Sequence, residues 1–459
     1  MRSVWAVAAN TIKQVLRMKI AAVFIILMIV LLPVMGMAMT GDGTLKGRLQ
    51  TFVSYSLSLT SFLLCLLTIM ASVYTLTSDI SQGQIFTVLT KPVRRFQLIF
   101  GKLLGIILLD VILLGLFSAV IYSITVYTPK FLNAGEDERA RVNNEFFTAR
   151  AGLTPVEGDI DQEVQETYKK LEKEDRLPPG VAGNKIGYRN FIKTLTRQIR
   201  VRRGAVEVGH DLLWEFENVK PLDPKQSLFV RFKFEASVNP ADASVFGRWV
   251  VGDDRQIRDA TGIKTPIYTF DRKDLIRTFH EIEVPADAVA QDGYLVVGFL
   301  NVPLNSTVVI FPPEEGLEVL YKADTFTANF ARAVLLILIR LVFLACLGML
   351  AATFLSFPVA ILLCLAVFFT GTISGFCLES FDFLSENVSS FYYYTFRPVV
   401  QLLPQFDKFN PAKFLVPARL LSWFLLAKAA GSMICIRAAL LLLLALLIFS
   451  FREIAKVII

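Results

Sequence analysis

The sequence predicts an α-helical polytopic membrane protein with about six transmembrane helices and an inserted extracytoplasmic α+β domain. Hydrophobic residues make up 54% of the 459 residues, which is too many for a soluble protein of this length. The block at 130–324 differs, because it carries about 32 acidic and about 27 basic side chains. Reading the two parts separately gives four predicted regions: 1–128, 129–204, 205–326 and 327–459.

The formal net charge of +7 is concentrated in the apolar part of the chain. Basic residues gather beside the predicted spans, at 2–19, 91–102 and 452–456. The positive-inside rule places such residues in the cytoplasm. We therefore expect both termini to be cytoplasmic and the block at 130–324 to lie outside. The excess of positive charge reports this orientation, so we predict no nucleic-acid partner.

The first segment predicts an amphipathic helix that lies in the headgroup plane and does not span. Successive residues of a helix are about 100° apart, which separates an apolar face from a basic one. The alternative is the n-region of a signal peptide, but the following apolar run is long and no clear cleavage site follows it. The apolar face carries Val4, Trp5, Ala8, Ile12, Val15 and Leu16, and the opposite face carries Arg2, Asn10, Lys13 and Arg17.

Six apolar segments are long enough to cross a bilayer, since about 20 helical residues span the hydrocarbon core. Pro358 is expected to mark a tight turn between the fourth and fifth, because proline cannot continue a helix. Between the fifth and sixth, 378–431 mixes aromatic residues, charges and prolines. It predicts short interfacial helices on the outer surface, or a surface loop with an aromatic belt. The predicted spans are 20–39, 52–77, 103–127, 328–354, 359–376 and 432–451.

The segment between the second and third spans reads S-D-I-S-Q-G-Q-I-F-T-V-L-T-K-P-V-R-R from Ser78 to Arg95. It predicts a short amphipathic cytoplasmic helix at 79–89. Asp79 near its N-terminus is favoured by the helix dipole, and Pro92 ends it. Its apolar side chains must be buried against a partner, or against the membrane surface if the helix has none.

This segment resembles the loop after the second span of type-2 ABC exporter permeases. In that family an acidic residue, a Gly-Thr step and a Pro-Val-x-Arg segment form the helix that docks on the ATPase. Here Asp79 stands where Glu is usual, and Gln84 where Thr is usual. The resemblance assigns ATPase coupling to Asp79, Gln82, Gly83, Ile85, Phe86, Lys91, Pro92, Arg94 and Arg95.

A second stretch, L-P-Q-F-D-K-F-N from Leu403 to Asn410, is similar to a Pro-Asn-x-Asp-x-Phe-Asn element before the last span of that family. The closest subgroup in appearance carries its ATPase on a separate chain and includes the nitrous-oxide-reductase maturation and gliding-motility permeases. The block at 130–324 lies outside the resemblance. The residues matched to this second element are Pro404, Asp407, Lys408 and Asn410.

The resemblance implies a permease subunit in a bacterial cytoplasmic membrane. Its partners would be a homodimeric ABC ATPase that binds ATP and Mg, a second permease copy (the same chain or a different one), and membrane lipid. The work would be export of an amphiphilic or envelope-related substrate, or action on an extracytoplasmic partner. The chain itself has no Gly-x-x-x-x-Gly-Lys-Ser/Thr element for nucleotide phosphates. The alternative is a membrane-anchored binding or scaffold protein without an ATPase.

Two charges interrupt predicted spans. Asp110 lies eight residues after Lys102, so about 12 Å along the helix, and Arg340 lies eight residues after Arg332. Ionisable residues inside a bilayer are usually paired or functional. We predict that Asp110 and Arg340 pair, within or between subunits. The alternatives are that each snorkels to the surface or that the span limits are shifted; Arg437 is expected to snorkel from the outer end of the sixth span.

The charged block predicts helices at 136–151, 160–174 and 188–203, the first of them extending the third span. Short alternating strands follow, with Asn-Pro, Gly-Asp and Asp-Gly turns, and indicate an antiparallel, jelly-roll-like β-sandwich. Such modules resemble carbohydrate-binding domains, so a glycan or protein partner outside the membrane is one reading and a structural role the other. The predicted strands are 228–234, 244–251, 278–284, 294–300 and 306–311.

Candidate ligand contacts in this block have structural alternatives. Its aromatic residues could stack on a sugar, but aromatic residues in sandwiches are usually core. Its basic run could meet an anionic headgroup or polymer, or form a solvated helix face. With two histidines, no cysteine cluster and no catalytic spacing of carboxylates, we predict no catalytic residue, no metal site and no enzyme activity in this chain. The aromatic candidates are Trp214, Trp249, Tyr268 and Tyr294, and the basic run is Lys193, Arg197, Arg200, Arg202 and Arg203.

Overall fold

The structure is a computed structural model that divides the chain into two compact units. The helical unit comprises Met1–Ala149 and Thr325–Ile459, and the β unit comprises Arg150–Asp324. The structure describes residues 2–39, 41–81, 94–132, 135–156, 158–178, 181, 185–222, 227–258, 265–313, 315–381 and 403–451.

Within these residues, six helices are long and apolar enough to cross a membrane, which confirms the number of predicted spans. They are α2, α3, α4, α9, α10 and the continuous helix Trp423–Phe451, whose middle turns are π-helical. The helices are α1 (Arg2–Leu16), α2 (Lys19–Ala38), α3 (Leu45–Ser81), α4 (Arg95–Phe131), α5 (Glu136–Glu145), α6 (Ile160–Lys173), α7 (Lys185–Arg203), α8 (Arg255–Arg258), α9 (Phe326–Phe354), α10 (Phe357–Phe381), α11 (Ala412–Leu415), α12 (Trp423–Ala430), the π segment Gly431–Ala438 and α13 (Ala439–Phe451).

Helices α3, α4 and α9 form the centre of the helical unit. In their most apolar stretches, 72% of α3 and 67% of α9 are buried inside the chain, compared with 17% of α2 and of the last helix. The outer helices turn large apolar side chains such as Ile26, Val30 and Leu443 outward. An apolar exterior around a packed centre is what a lipid-facing bundle requires.

Two boundaries differ from the sequence-based expectation. The last helix begins at Trp423, so Arg437 lies in its middle turns and not near its outer end. The third span ends at Phe131, and α5 is a separate helix that ends at Glu145, so no helix covers 136–151. The physical reason is that Thr148–Leu153 forms a strand next to β11, and a strand cannot continue a helix.

The β unit contains two four-stranded sheets, in the orders β1-β11-β4-β8 and β3-β9-β6-β7, and a small sheet β2-β10-β5. The strand pairings among β2 to β11 are antiparallel, as predicted. The strands are β1 (Thr148–Leu153), β2 (Ala205–Val206), β3 (Asp211–Phe216), β4 (Ser227–Phe232), β5 (Glu235–Ala236), β6 (Ser244–Gly252), β7 (Tyr268–Leu275), β8 (His280–Pro285), β9 (Leu295–Asn301), β10 (Val309–Ile310) and β11 (Leu317–Thr325).

Both four-stranded sheets contribute to one aromatic core. Trp249 of β6 is fully buried and its ring lies 4.1 Å from that of Phe232 of β4 and 4.9 Å from that of Phe299 of β9. All five predicted strands are present. The helices α6 and α7 pack on each other through a separate small cluster that includes Ile160 and Leu195.

Candidate functional site: the two ends of the helical unit

The spanning helices have two ends with different contacts. We call the end that adjoins residues 82–93 the loop end, and the end at which α4 finishes and α9 begins the domain end. Residues matched to the coupling loop belong to the loop end. Residues matched to the element before the last span lie between the domain end and the middle of the bundle.

At the loop end, Asp79 is held by two other helices. Its carboxylate pairs with Lys102 of α4, with Nζ 2.7 Å from Oδ2, and accepts a hydrogen bond of 3.3 Å from Gln14 of α1. Lys102 Nζ also donates to the carbonyl of Thr75, and only 3% of its side chain is exposed. A buried charge is tolerated when it is paired and hydrogen-bonded in this way. The cluster joins α1, α3 and α4 immediately before residues 82–93.

This position corrects the prediction that Asp79 begins a separate helix. Asp79 lies in the last turn of α3, which continues to Ser81, and its carboxylate pairs with Lys102 of α4. Its role in ATPase coupling stays a prediction. The six coupling residues from Gln82 to Pro92 lie outside the described residues, so the predicted helix at 79–89 is described only at its start.

The first helix packs against α4 through two glycines four residues apart. A Cβ atom at Gly101 would lie 2.7 Å from Cβ of Val7, and one at Gly105 would lie 2.7 Å from the carbonyl oxygen of Ala8. Small residues at this spacing let two helices approach closely. Ala8 and Val15 are therefore fully buried. The face predicted as one apolar surface is divided, because Trp5 and Leu16 remain exposed, at 60% and 49%.

At the other side of residues 82–93, Arg95 contacts the end of the last spanning helix. Its guanidinium donates hydrogen bonds of 3.2 Å and 2.7 Å to the carbonyls of Phe449 and Ser450. A cation at a helix C-terminus also interacts favourably with the helix dipole. Arg94 is exposed, and its backbone N–H bonds the side chain of Gln97. Both ends of the coupling segment are thus tied to spanning helices.

In the middle of the bundle, Arg340 of α9 binds the segment that contains the second family element. Its guanidinium donates to the carbonyls of Phe406 (3.0 Å) and Phe409 (3.3 Å) and to the hydroxyl of Ser61 on α3 (3.3 Å). The Phe406 ring lies under the guanidinium at 5.0 Å, and Phe406 is 1% exposed. Asp407 provides the nearby negative charge.

The element itself is seated on α10. The N–H of Phe406 donates to the carbonyl of Gly371, and a Cβ atom at Gly375 would overlap the Asp407 carboxylate. Ser374 also donates to Asp407, at 3.4 Å. Pro404 reaches the same helix through its carbonyl, which would be 2.7 Å from a Cβ at Gly371. Asn410 accepts from the N–H of Ala412 at the start of α11, and Lys408 has no ion pair in the described part of the chain.

The irregular backbone from 403 to 423 is satisfied by side chains of the central helices. Non-helical backbone at membrane depth is tolerated only where it is buried in protein. Asn329 of α9, fully buried, accepts from the N–H of Leu421 and donates to the carbonyl of Arg419. Gln50 of α3 donates to the carbonyl of Val416 at 2.8 Å. The segment therefore packs against the central helices through these contacts and contains the short helix α11, while its predicted position at the outer membrane surface stays a prediction.

Asp110 does not pair with Arg340 within the described chain. The hydroxyl of Thr68 on α3 donates to the carboxylate of Asp110, with Oγ1 2.9 Å from Oδ1 and 3.0 Å from Oδ2. Arg340 meets α3 at Ser61, seven residues away, which is about 10 Å along the helix. That separation is too large for the predicted ion pair within one chain, and a pair between subunits stays a prediction. Cys65, one turn from each contact, has electrostatic interactions with both charges.

The candidate ligand contacts of the β unit are largely engaged within it. Trp249 is in the core, Trp214 packs against Phe311, and Tyr294 stacks under the guanidinium of Arg255 at 3.9 Å. Tyr268 donates to Asp287. The basic run is divided, because Arg202 and Arg203 pair with Glu163. Among the described residues, no group of three or more His, Cys, Asp and Glu side chains could hold a metal ion.

Searches with protein-family models, among curated proteins and among solved structures find no match to this chain.

Several residues of these sites were not singled out from the sequence. The spacing Gly101-x-x-x-Gly105 inside an apolar span was the signal for the close contact with α1. The sequence predicts Lys102 only as one of the basic residues that set the orientation in the membrane. Its position inside α4 was a further signal, because a charge within a spanning helix needs a partner. The contact of Ser61 with Arg340 could not be predicted from the sequence. Serine is common in membrane spans, and the contact depends on which face of α3 meets α9.

Proposed function

We propose that this chain is the permease subunit of a type-2 ABC transporter, in which a separate ATPase acts on the segment at 82–93. The observation that supports this most directly is the construction of the loop end. Asp79 and Lys102 fix the helix that leads into the segment, and Arg95 fixes the helix that follows it to the C-terminal end of the last span. A segment held at both of its ends can transmit a force to the helices on either side.

The central helices offer a continuous route for that motion. Helix α3 runs unbroken for 37 residues, about 55 Å, from the Asp79 cluster to Leu45. Along it lie Ser61, which contacts Arg340, and Gln50, which contacts Val416. We propose that a tilt of α3 driven at the loop end shifts the 403–423 segment, which alternates the opening of the bundle toward the two sides.

In this proposal the termini and the segment at 82–93 are cytoplasmic, in a bacterial inner membrane. The β unit is extracytoplasmic and jelly-roll-like, and two permease copies act with two ATPase subunits that bind ATP and Mg. The transported substrate is amphiphilic or envelope-related, or the β unit acts on an extracytoplasmic protein or glycan. The antiparallel sheets around one aromatic core support a folded binding or transmitting domain rather than a tether.

The proposal is tested by purifying the chain from its native membrane and identifying an ATPase that copurifies with it. Replacing Gly83 and Phe86 by Asp should abolish copurification and substrate-independent ATPase stimulation. Phe246→Asp is the control, because Phe246 is 40% exposed on β6 of the other unit and the substitution also replaces an apolar side chain by a negative charge. Copurification should survive in the control.

Two outcomes would contradict the proposal. One is a stable assembly in native lipid that contains no ATPase subunit, which would favour the anchored binding or scaffold protein. The other is an ATPase that binds the Gly83 and Phe86 variants as well as it binds the unchanged chain.

A further inference from the structure

A cleft of about 290 Å³ lies at the domain end of the helical unit, between the end of α4 and α5. Its floor is apolar and its rim is basic and polar. The apolar lining includes Pro129, Val142 and Phe147, and the polar lining consists of Lys130, Arg139 and Asn143. Tyr127 and Phe131, which are 51% and 83% exposed on the neighbouring turn of α4, extend the apolar surface away from the cleft.

The two cations of the rim have no acidic partner within the described chain. Lys130 contacts only the ring of Tyr127, at 5.4 Å, and Arg139 is exposed without an ion pair in the same residues. Two of the four acidic residues of α5 are directed toward the start of α3. Glu138 accepts a hydrogen bond from the N–H of Leu45, and Glu145 pairs with Lys46.

This arrangement fits an anionic phospholipid. Lys130 is the second-last residue of a spanning helix, where phosphate headgroups lie next to the hydrocarbon region. Lysine and arginine bind phosphate oxygens by charge-assisted hydrogen bonds, and the Asn143 amide can donate a further one. The apolar floor and the exposed rings of α4 would cover the first part of an acyl chain.

We propose that the cleft of Lys130, Arg139 and Asn143 binds the phosphate of an anionic phospholipid, with the acyl chain along α4. A zwitterionic headgroup fits less well, because its ammonium group would lie near the same two cations. The proposal depends on the chain spanning a membrane and does not depend on an ATPase. Its failure therefore leaves the proposed function untouched, and failure of the proposed function leaves this site standing.

The test is native mass spectrometry of the purified full chain in detergent, titrated with phosphatidylglycerol. Lys130→Gln combined with Arg139→Gln should weaken phosphatidylglycerol retention by about thirtyfold, since each cation near a headgroup contributes about 1 kcal/mol and about 1.4 kcal/mol corresponds to a factor of ten. Arg141→Gln is the matched control, because Arg141 is exposed on the same helix and does not line the cleft. Its retention should equal that of the unchanged chain.

Three results would overturn the inference. The first is equal retention of phosphatidylglycerol by the double variant and the control. The second is equal retention of phosphatidylcholine and phosphatidylglycerol by the unchanged chain. The third is full displacement of the lipid by inorganic phosphate at the same concentration, which would mean that the apolar floor contributes nothing. Because all three substituted side chains are exposed, unchanged thermal midpoints should show that the variants remain folded.

Discussion

The helical unit and the β unit place their charges in opposite ways. In the helical unit, Asp79, Lys102 and Asp110 are buried between helices, while apolar side chains face outward. In the β unit the core is aromatic and aliphatic, and ion pairs such as Arg248–Asp271 lie on the surface, with both side chains more than half exposed. The helical unit thus has buried charges and an apolar exterior, whereas many ion pairs of the β unit lie at its surface, with Asp253 and Asp274 as buried exceptions.

The difference follows from the surroundings each unit is built for. A charge on the surface of a water-exposed domain is already solvated, so an ion pair there contributes little. A charge in a lipid-facing bundle has no water outside, so it must be turned inward and satisfied by the protein. We therefore expect charge substitutions to be severe in the helical unit and mild in the β unit.

The largest effect is expected at Arg340. Arg340→Met leaves the carbonyls of Phe406 and Phe409 without their donor and Asp407 without its nearby positive charge, and we expect a loss of about 3–5 kcal/mol in the free energy of unfolding. Arg340→Lys should recover only part of it, because one ammonium cannot reproduce the planar fork. Asp110→Asn should change it by less than about 1 kcal/mol, since the amide oxygen still accepts from Thr68. Thermal unfolding in detergent measures all three, and equal effects at Arg340 and Asp110 would restore the idea of a pair.

The next effect is expected at the loop end. Asp79→Leu or Lys102→Met alone leaves one buried charge unpaired, and each should destabilise the protein by about 3 kcal/mol. The double variant should lose clearly less than the sum, because it leaves neither charge behind. A double-mutant cycle of unfolding midpoints measures the coupling. Additive effects would mean that the two side chains do not interact in the folded protein.

A smaller effect is expected where α1 meets α4. Gly105→Ala places a methyl group 2.7 Å from the carbonyl of Ala8, so α1 must move, and we expect a loss of about 1–3 kcal/mol. Gly115→Ala in the same helix has no atom within 4 Å of the new methyl group and should be neutral or slightly stabilising. Limited proteolysis of α1 and thermal midpoints compare the two. If they behave alike, the glycine contact does not hold α1 in place.

The smallest effect is expected in the β unit, as a dependence on pH. Hydrogen bonds from Lys273 and Arg255 lower the pKa values of Asp242 and Asp292 to about 2, from an ordinary 3.8. Because the folded-state values are lower than the unfolded ones, the stabilisation is complete above about pH 4 and is lost as the pH falls through about 2.

The near-ultraviolet circular dichroism of the buried Trp249 can follow this loss on acid titration. Replacing Asp242 and Asp292 together by Asn should flatten the part of the profile below pH 4. An identical acid profile in the variant would show that these two surface pairs do not contribute to it.

The sequence alone determined where the spanning helices lie along the chain, and little about the side-chain contacts between them. Runs of apolar residues of spanning length located all six helices, because lipid contact demands such runs whatever the fold. Alternating patterns located the strands at Ser244–Gly252 and Leu295–Asn301 in the same way. The sequence did not predict the strands Asp211–Phe216 and Tyr268–Leu275. Polar and apolar residues do not alternate regularly along them, so they lack the pattern of a half-buried strand.

The partners of the buried charges were decided only by the tertiary structure. Depth along the helices placed Asp110 and Arg340 at similar heights, but depth does not say which faces meet. Asp110 and Arg340 contact α3 at Thr68 and Ser61, two positions about 10 Å apart along that helix, and Arg340 binds the backbone at Phe406 and Phe409 instead. The rotation of a helix about its axis depends on how all its neighbours pack against it. The sequence of one helix therefore does not predict which face meets which neighbour. For this reason the sequence predicts the depth of each charge in its helix, and only the tertiary structure determines which groups that charge binds.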